Sequence, residues 1–132
     1  MDESKFIQLL KKLGQEEVNV FFDYADRLIS SLNLQNGNNK VTYSTRSNNR
    51  LSIITGQRYA LALISRKKRR WEFISSRESK SSEYMTIEPF KGGGPKAFLY
   101  RCDDYDEIKN QFDEMVNASK AELKRTKESG FK

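Results

Sequence analysis

The chain has 132 residues, 36% hydrophobic and 32% charged, and its eight Phe, six Tyr and one Trp are too many aromatics for a disordered chain. It has no His and a single Cys, which excludes Ser-His-Asp and Cys-His nucleophile systems and every ordinary zinc site. Its net charge of +6 is uneven: residues 1 to 38 carry a net −2, residues 39 to 101 a net +10 and residues 102 to 132 a net −2.

The length is that of one domain, residues 1 to 132. No apolar run is long enough to span a bilayer, and the opening MDESKFIQLLKKLG mixes charges throughout, so neither membrane insertion nor a signal peptide is expected. Cys102 has no partner for an internal disulfide, which fits a reduced, cytoplasmic compartment.

Asp2 to Leu13 reads as a short helix, with Phe6, Ile7, Leu9, Leu10 and Leu13 near one face and Gly14 as its stop. A second helix covers about 18 to 33, where Val18, Phe21, Phe22, Ala25, Leu28, Ile29 and Leu32 recur at helical spacing. NLQNGNNK, residues 33 to 40, breaks the pattern and reads as a loop.

From Val41 the hydrophobic period becomes two. VTYST (41 to 45) predicts a strand, RSNN a turn, and residues 51 to 55 the next strand. Thr55-Gly56-Gln57-Arg58 has the form of a two-residue type II′ hairpin turn with Gly first. Tyr59 to Ser65 is a strand apolar on both faces, which predicts a central place. It should pair antiparallel with the strand at 70 to 76. RESKSSE (77 to 83) reads as a solvated loop, YMTIEPF as a short edge strand ended by Pro89, KGGGPK (91 to 96) as a connection and AFLYRC as a last strand. Residues 104 to 128 predict one long helix: Asp104 is an N-cap with Glu107 three residues on, and Tyr105, Ile108, Phe112, Met115, Val116 and Leu123 draw an apolar stripe. The expected fold class is α+β: two N-terminal helices, an antiparallel meander of four or five strands, and a long C-terminal helix packed on the sheet.

The densest charge is Arg66, Lys67, Lys68, Arg69 and Arg70, five consecutive cations placed between two predicted strands. At a hairpin tip they form a basic ribbon suited to phosphates, which need cations more than exact geometry. Arg46, Arg50, Arg58 and Arg77 are candidates to extend that surface, and Trp71 and Tyr59 to stack on bases. The competing reading is a solvated tip that discourages edge-to-edge aggregation, with Trp71 and Phe73 in the core.

Other motifs carry less. KGGGPK lacks the spacing of a phosphate-binding loop and leads into a strand, so a flexible connection is expected. Glu78-Ser79-Lys80 resembles the E-x-K element of one large nuclease class, in which two acids hold a divalent metal, yet residues 40 to 71 contain no Asp or Glu to supply the upstream acid. Asp103, Asp104, Asp106 and Glu107 are explained by capping and dipole compensation, and Cys102 as a small buried residue.

The sequence therefore points to a binding module more than to an enzyme, a question it leaves open, and it names no cofactor, metal or catalytic residues. Its partner is expected to be nucleic acid or another anion, met through Arg58, Arg66, Lys67, Lys68, Arg69, Arg70 and Trp71. A protein-interaction or accessory subunit is the alternative, and a metal-dependent nuclease-like enzyme the third reading.

Overall fold

The computed structural model describes residues 3–32, 41–45, 49–83, 85–92 and 96–128. Helices α1 (Glu3–Leu13) and α2 (Gln15–Leu32) open the chain. Gly14, with φ of +94°, separates them, and its N–H bonds back to the Leu10 carbonyl at 3.1 Å. Glycine tolerates that left-handed backbone, which turns the chain directly into α2. Leu9, Leu13, Val18, Phe21, Tyr24, Ala25, Leu28 and Leu32 are buried. Ile7 is 48% exposed instead of joining the α1 stripe. It lies outside the arc of positions 6, 9, 10 and 13 that share a helix face.

Six strands come next: β1 (Val41–Ser44), β2 (Arg50–Thr55), β3 (Arg58–Ile64), β4 (Trp71–Ser75), β5 (Met85–Pro89) and β6 (Phe98–Cys102). They form one sheet in the order β1-β2-β3-β4-β6-β5, every neighbouring pair antiparallel. Each segment of period two becomes a strand. The first four run in chain order as a meander; β6 then lies against β4, and β5, with Pro89, takes the edge. β3 is internal, between β2 and β4, as its two apolar faces predict.

Alternate residues of these strands, Leu51, Ile53, Leu61, Leu63, Trp71, Phe73, Tyr100 and Cys102, join the buried residues of α1 and α2 in one cluster. On the opposite face the register sets Ser52, Ala62, Glu72 and Arg101 in one row across β2, β3, β4 and β6. A smaller cluster of Ile74, Ala97 and Leu99, packed against Tyr59 and Phe90, receives no helical residue among the described residues. The helices therefore cover one face of the sheet.

The C-terminal helix is broken. α3 (Tyr105–Asn110) and α4 (Phe112–Glu128) meet at Gln111, whose φ of −103° and ψ of 11° leave the helical region. Its N–H bonds to the Ile108 carbonyl at 2.9 Å, a tighter turn than the α-helix. The break lets α3 pack along β6 while α4 crosses β2, β3 and β4 and meets α2. Asp104 caps as predicted: its carboxylate accepts the Glu107 N–H at 3.2 Å.

β3 is irregular in two places. A bulge between Ile53 and Ile54 pairs them with Leu61 and Tyr59, leaving Ala60 as the extra residue. The β3–β4 ladder spans only Ala62 with Glu72 and Leu63 with Trp71.

The β2–β3 turn is held by α4. Gly56 has φ of +66° and Gln57 has no positive φ, the arrangement of a type II′ turn. The Gln57 N–H donates to Glu122 Oε2 at 2.9 Å. A Cβ on Gly56 would lie 2.9 Å from Thr126 Cγ2 and 3.0 Å from Glu122 Cγ. Gly56→Ala should therefore destabilise the protein by about 2–4 kcal/mol, from left-handed strain plus overpacking. Urea unfolding should show a lower midpoint at an unchanged slope.

Candidate anion-binding surface

The five cations connect β3 to β4, and the Ile64 N–H bonds to the Arg70 carbonyl at 2.8 Å to close the turn. Such a concentration of like charge is repulsive by about 1 kcal/mol per close pair even in water. Three of the five are engaged in holding the turn. Arg66 folds back over it, its Nε 2.9 Å from the carbonyls of both Lys68 and Arg69, and its Nη2 2.8 Å from Glu72 Oε2. Arg69 adopts φ of 54°, left-handed for a residue with a Cβ. Asp103 fixes it there, accepting the Arg69 backbone N–H at 2.8 Å and its Nη1 at 3.1 Å. Arg70 pairs with Glu17 of α2 and donates to the Leu13 carbonyl at the end of α1 at 3.1 Å.

Lys67 and Lys68 are different. Both are exposed, and no ion pair joins either to a carboxylate among the described residues. Beside them lies a shallow basin of about 430 Å3, lined by Lys12, Leu13, Ser65, Arg66, Lys67 and Arg70. Lys12, from the last turn of α1, is the contributor that sequence reasoning missed. Its only sequence signal is the pair Lys11-Lys12 before Gly14, far from the cation run along the chain. A neighbouring groove lined by Glu16, Glu17, Asp103 and Asp104 bounds the basic surface on one side.

The remaining candidates lie elsewhere. Arg58 starts β3 and Ile64 ends it, the two ends of a seven-residue strand about 20 Å apart. It faces Glu122, with Nη1 3.9 Å from Oε1. Arg77, beyond the end of β4, pairs with Glu114 at 3.1 Å. The expected continuous surface is thus divided between opposite ends of the strands. Arg50 lies over the Tyr59 ring at 4.8 Å, and Arg46 falls outside the described residues. Trp71 is 3% exposed and belongs to the core, so its ring has no open face on which a base could stack. The reason is register: Trp71 alternates in phase with Phe73, on the face that the helices cover.

Glu78 and Lys80 lie exposed in the segment between β4 and β5. Among the described residues no three of His, Cys, Asp and Glu converge so as to hold a metal ion. Part of KGGGPK, residues 93 to 95, falls outside the described residues. Among those residues no helix is long and apolar enough to cross a membrane. Cys102 is buried, and burial, with the Glu107, Asp104 and Asp103 charges nearby, pushes its thiol up to about 12 against the weaker pull of Arg69. No family model, no curated protein and no solved structure matches this chain.

Asp103→Ala should cost about 1–2 kcal/mol by leaving the Arg69 N–H and guanidinium without their acceptor, while Asp103→Asn, which still accepts the N–H, recovers part of the loss in denaturant titration. The Cys102 thiol should react with a disulfide reagent at pH 8 far more slowly in the folded than in the denatured chain. Because its folded value is raised, this thiol contributes stability below its ordinary value of 9.0 that is lost as pH climbs from there toward about 12. Cys102→Ser should remove that alkaline component.

Proposed function

We propose that this protein is a non-enzymatic binding module that docks on the phosphate backbone of nucleic acid. The surface is the β3–β4 turn with the end of α1: Lys12, Lys67, Lys68 and the outer edge of Arg66. The observation that carries the reading is the division of labour among the five cations. Arg66, Arg69 and Arg70 fix the turn through Glu72, Asp103 and Glu17, and the turn holds Lys67 and Lys68 out in solvent next to the basin of Lys12. Lysine ammonium groups on a rigid turn are point charges with little geometric demand, the chemistry of backbone contact without base readout. Trp71 is buried and lends them no stacking platform, so affinity should be electrostatic and indifferent to sequence. The acidic groove on one side limits the footprint to a few phosphates.

Fluorescence anisotropy with labelled duplex and single-stranded oligonucleotides at several salt concentrations tests the reading. Three lysines on phosphates predict a slope of log affinity against log salt of about −3 on duplex. Replacing Lys67 and Lys68 with Ser should flatten it by about two units and leave the unfolding midpoint nearly unchanged, since neither holds the turn. Binding weaker than about millimolar at low salt, poorer than ordinary non-specific binding, overturns the proposal and leaves a protein partner as the better reading.

A further inference from the structure

At the end of β3 far from the basic turn, a cleft of about 210 Å3 lies where the β3–β4 ladder stops. Continued regularly, the ladder would set Ala60 opposite Ile74 and Tyr59 opposite Ser75. It ends instead at Ala62 and Glu72, and all four residues line the cleft. α4 borders it with Ala118, Ser119 and Ala121, whose small side chains leave the space unfilled. The charged lining residues lie toward the Gly56 turn, where the Gln57 N–H bonds to Glu122 Oε2 at 2.9 Å.

The observation that points to a ligand is Ser119. The residue is 2% exposed, and its Oγ has no hydrogen-bond partner among the described residues. A serine inside a helix ordinarily returns its hydroxyl to a carbonyl one turn back. Thr126 on the same helix does so, donating to the Glu122 and Leu123 carbonyls at 3.0 and 3.1 Å. Ser119 does not, and it lines the cleft. A buried hydroxyl left unmet is destabilising, and buried polar groups are seldom left so. Ser75, which also lines the cleft, is engaged elsewhere: its Oγ donates to Glu114 Oε1 at 2.6 Å and accepts the Arg77 N–H at 3.1 Å. A water molecule beside Ser119 would be poorly held, because it needs about two to four polar partners and the side chains of Ala60, Ile74 and Ala118 supply none.

We infer that this cleft binds a small uncharged molecule with a compact apolar body and one hydroxyl or carbonyl oxygen, the oxygen hydrogen-bonded to Ser119 and the body set against Ala60, Ile74 and Ala118. One serine hydroxyl satisfies one neutral oxygen. An ion placed against alanine and isoleucine side chains would lose a hydration shell that Ser119 alone does not replace. The volume selects the size: an apolar cavity of ~150 Å3 already holds benzene, so 210 Å3 admits a single ring with its oxygen. The site stands at the opposite end of β3 from the basic turn and does not depend on nucleic-acid binding.

The test is titration of the full-length, isotope-labelled protein with phenol and with cyclohexanone, followed by amide chemical shifts, with benzene and sodium benzoate as comparators. Phenol and cyclohexanone should each move the Ala60, Ile74 and Ser119 amides along a saturable curve. Benzene, which lacks the oxygen, and benzoate, which is charged, should bind about tenfold more weakly. Ser119→Ala deletes only the unmet hydroxyl, so it should keep or raise the melting temperature and bring phenol down to the affinity of benzene. Ala118→Leu, at a half-buried helix position, fills the cleft and should abolish phenol binding. Shifts that stay linear with concentration, the mark of a cleft that holds water only, would overturn the inference. So would benzene or benzoate binding as tightly as phenol, full phenol affinity in Ser119→Ala, or undiminished phenol binding in Ala118→Leu.

Discussion

The pairing of a basic middle segment with two acidic ends is the constraint on which the rest of this structure depends. Arg70 meets Glu17 of α2, Arg69 meets Asp103, Arg77 meets Glu114 and Arg58 meets Glu122. Each contact joins the net +10 segment to one of the flanking segments of net −2. Charge that is segregated along the chain is thus largely interleaved in space. The exposed pairs among them contribute little, about 0–1 kcal/mol each. Their role here is positional: they fix how the helices and the ends of the strands meet. A sheet hydrophobic on one face would otherwise accept its helices in several registers, and mismatched charges make the alternatives costly.

Glu72 shows the same logic in the sheet itself. It sits mid-row on the face without helices, 2% exposed, and its Oε2 accepts from Arg66 at 2.8 Å and Arg101 at 2.7 Å. Burying a carboxylate is expensive unless its lone pairs are satisfied, and removal of one partner typically costs about 3–5 kcal/mol. Two arginines from separate elements supply that satisfaction. Arg66 in doing so bends back over its own turn, so the electrostatics of β4 decide the shape of the loop that displays Lys67 and Lys68. The arginines act as structure because the guanidinium offers several directed donors. The lysines, with one ammonium each, are left to the solvent.

Much of the fold was legible in the residues. The shift from helical period to period two at Val41, the glycines at 14 and 56, and the Asp104 cap all mark real features. The break at Gln111 was not legible, because the apolar stripe from Tyr105 to Leu123 passes through it without interruption; it comes from α3 and α4 packing on different strands. The position of β6 between β4 and β5 was also hidden, since pairing order is a tertiary property. For the candidate surface, sequence reasoning identified the cation run and its hairpin setting. It grouped Arg58 and Arg77 with that run because linear proximity does not tell which end of a strand a residue occupies. It offered Trp71 as a stacking platform because the phase of a strand is invisible until its register is known. The acids that occupy the arginines lie far away along the chain: Glu17 is 53 residues from Arg70, and Glu122 is farther still from Arg58.

The two ends of the β3–β4 pair differ for one physical reason. Near the turn, the Ala62–Glu72 and Leu63–Trp71 pairs, the Ile64 N–H to Arg70 carbonyl bond and the Arg66–Glu72 bridge lock the strands together. At the far end β3 carries the Ala60 bulge, and the Gly56 turn beyond it lies close against Thr126 and Glu122 of α4. A bulge increases local twist and bends its strand. β4 keeps five regular ladder pairs to β6. The strands therefore part, and alanines on α4 leave the opening unfilled. One extra residue in β3 thus accompanies the contrast between a closely bonded, charged end and a more open, half-apolar one.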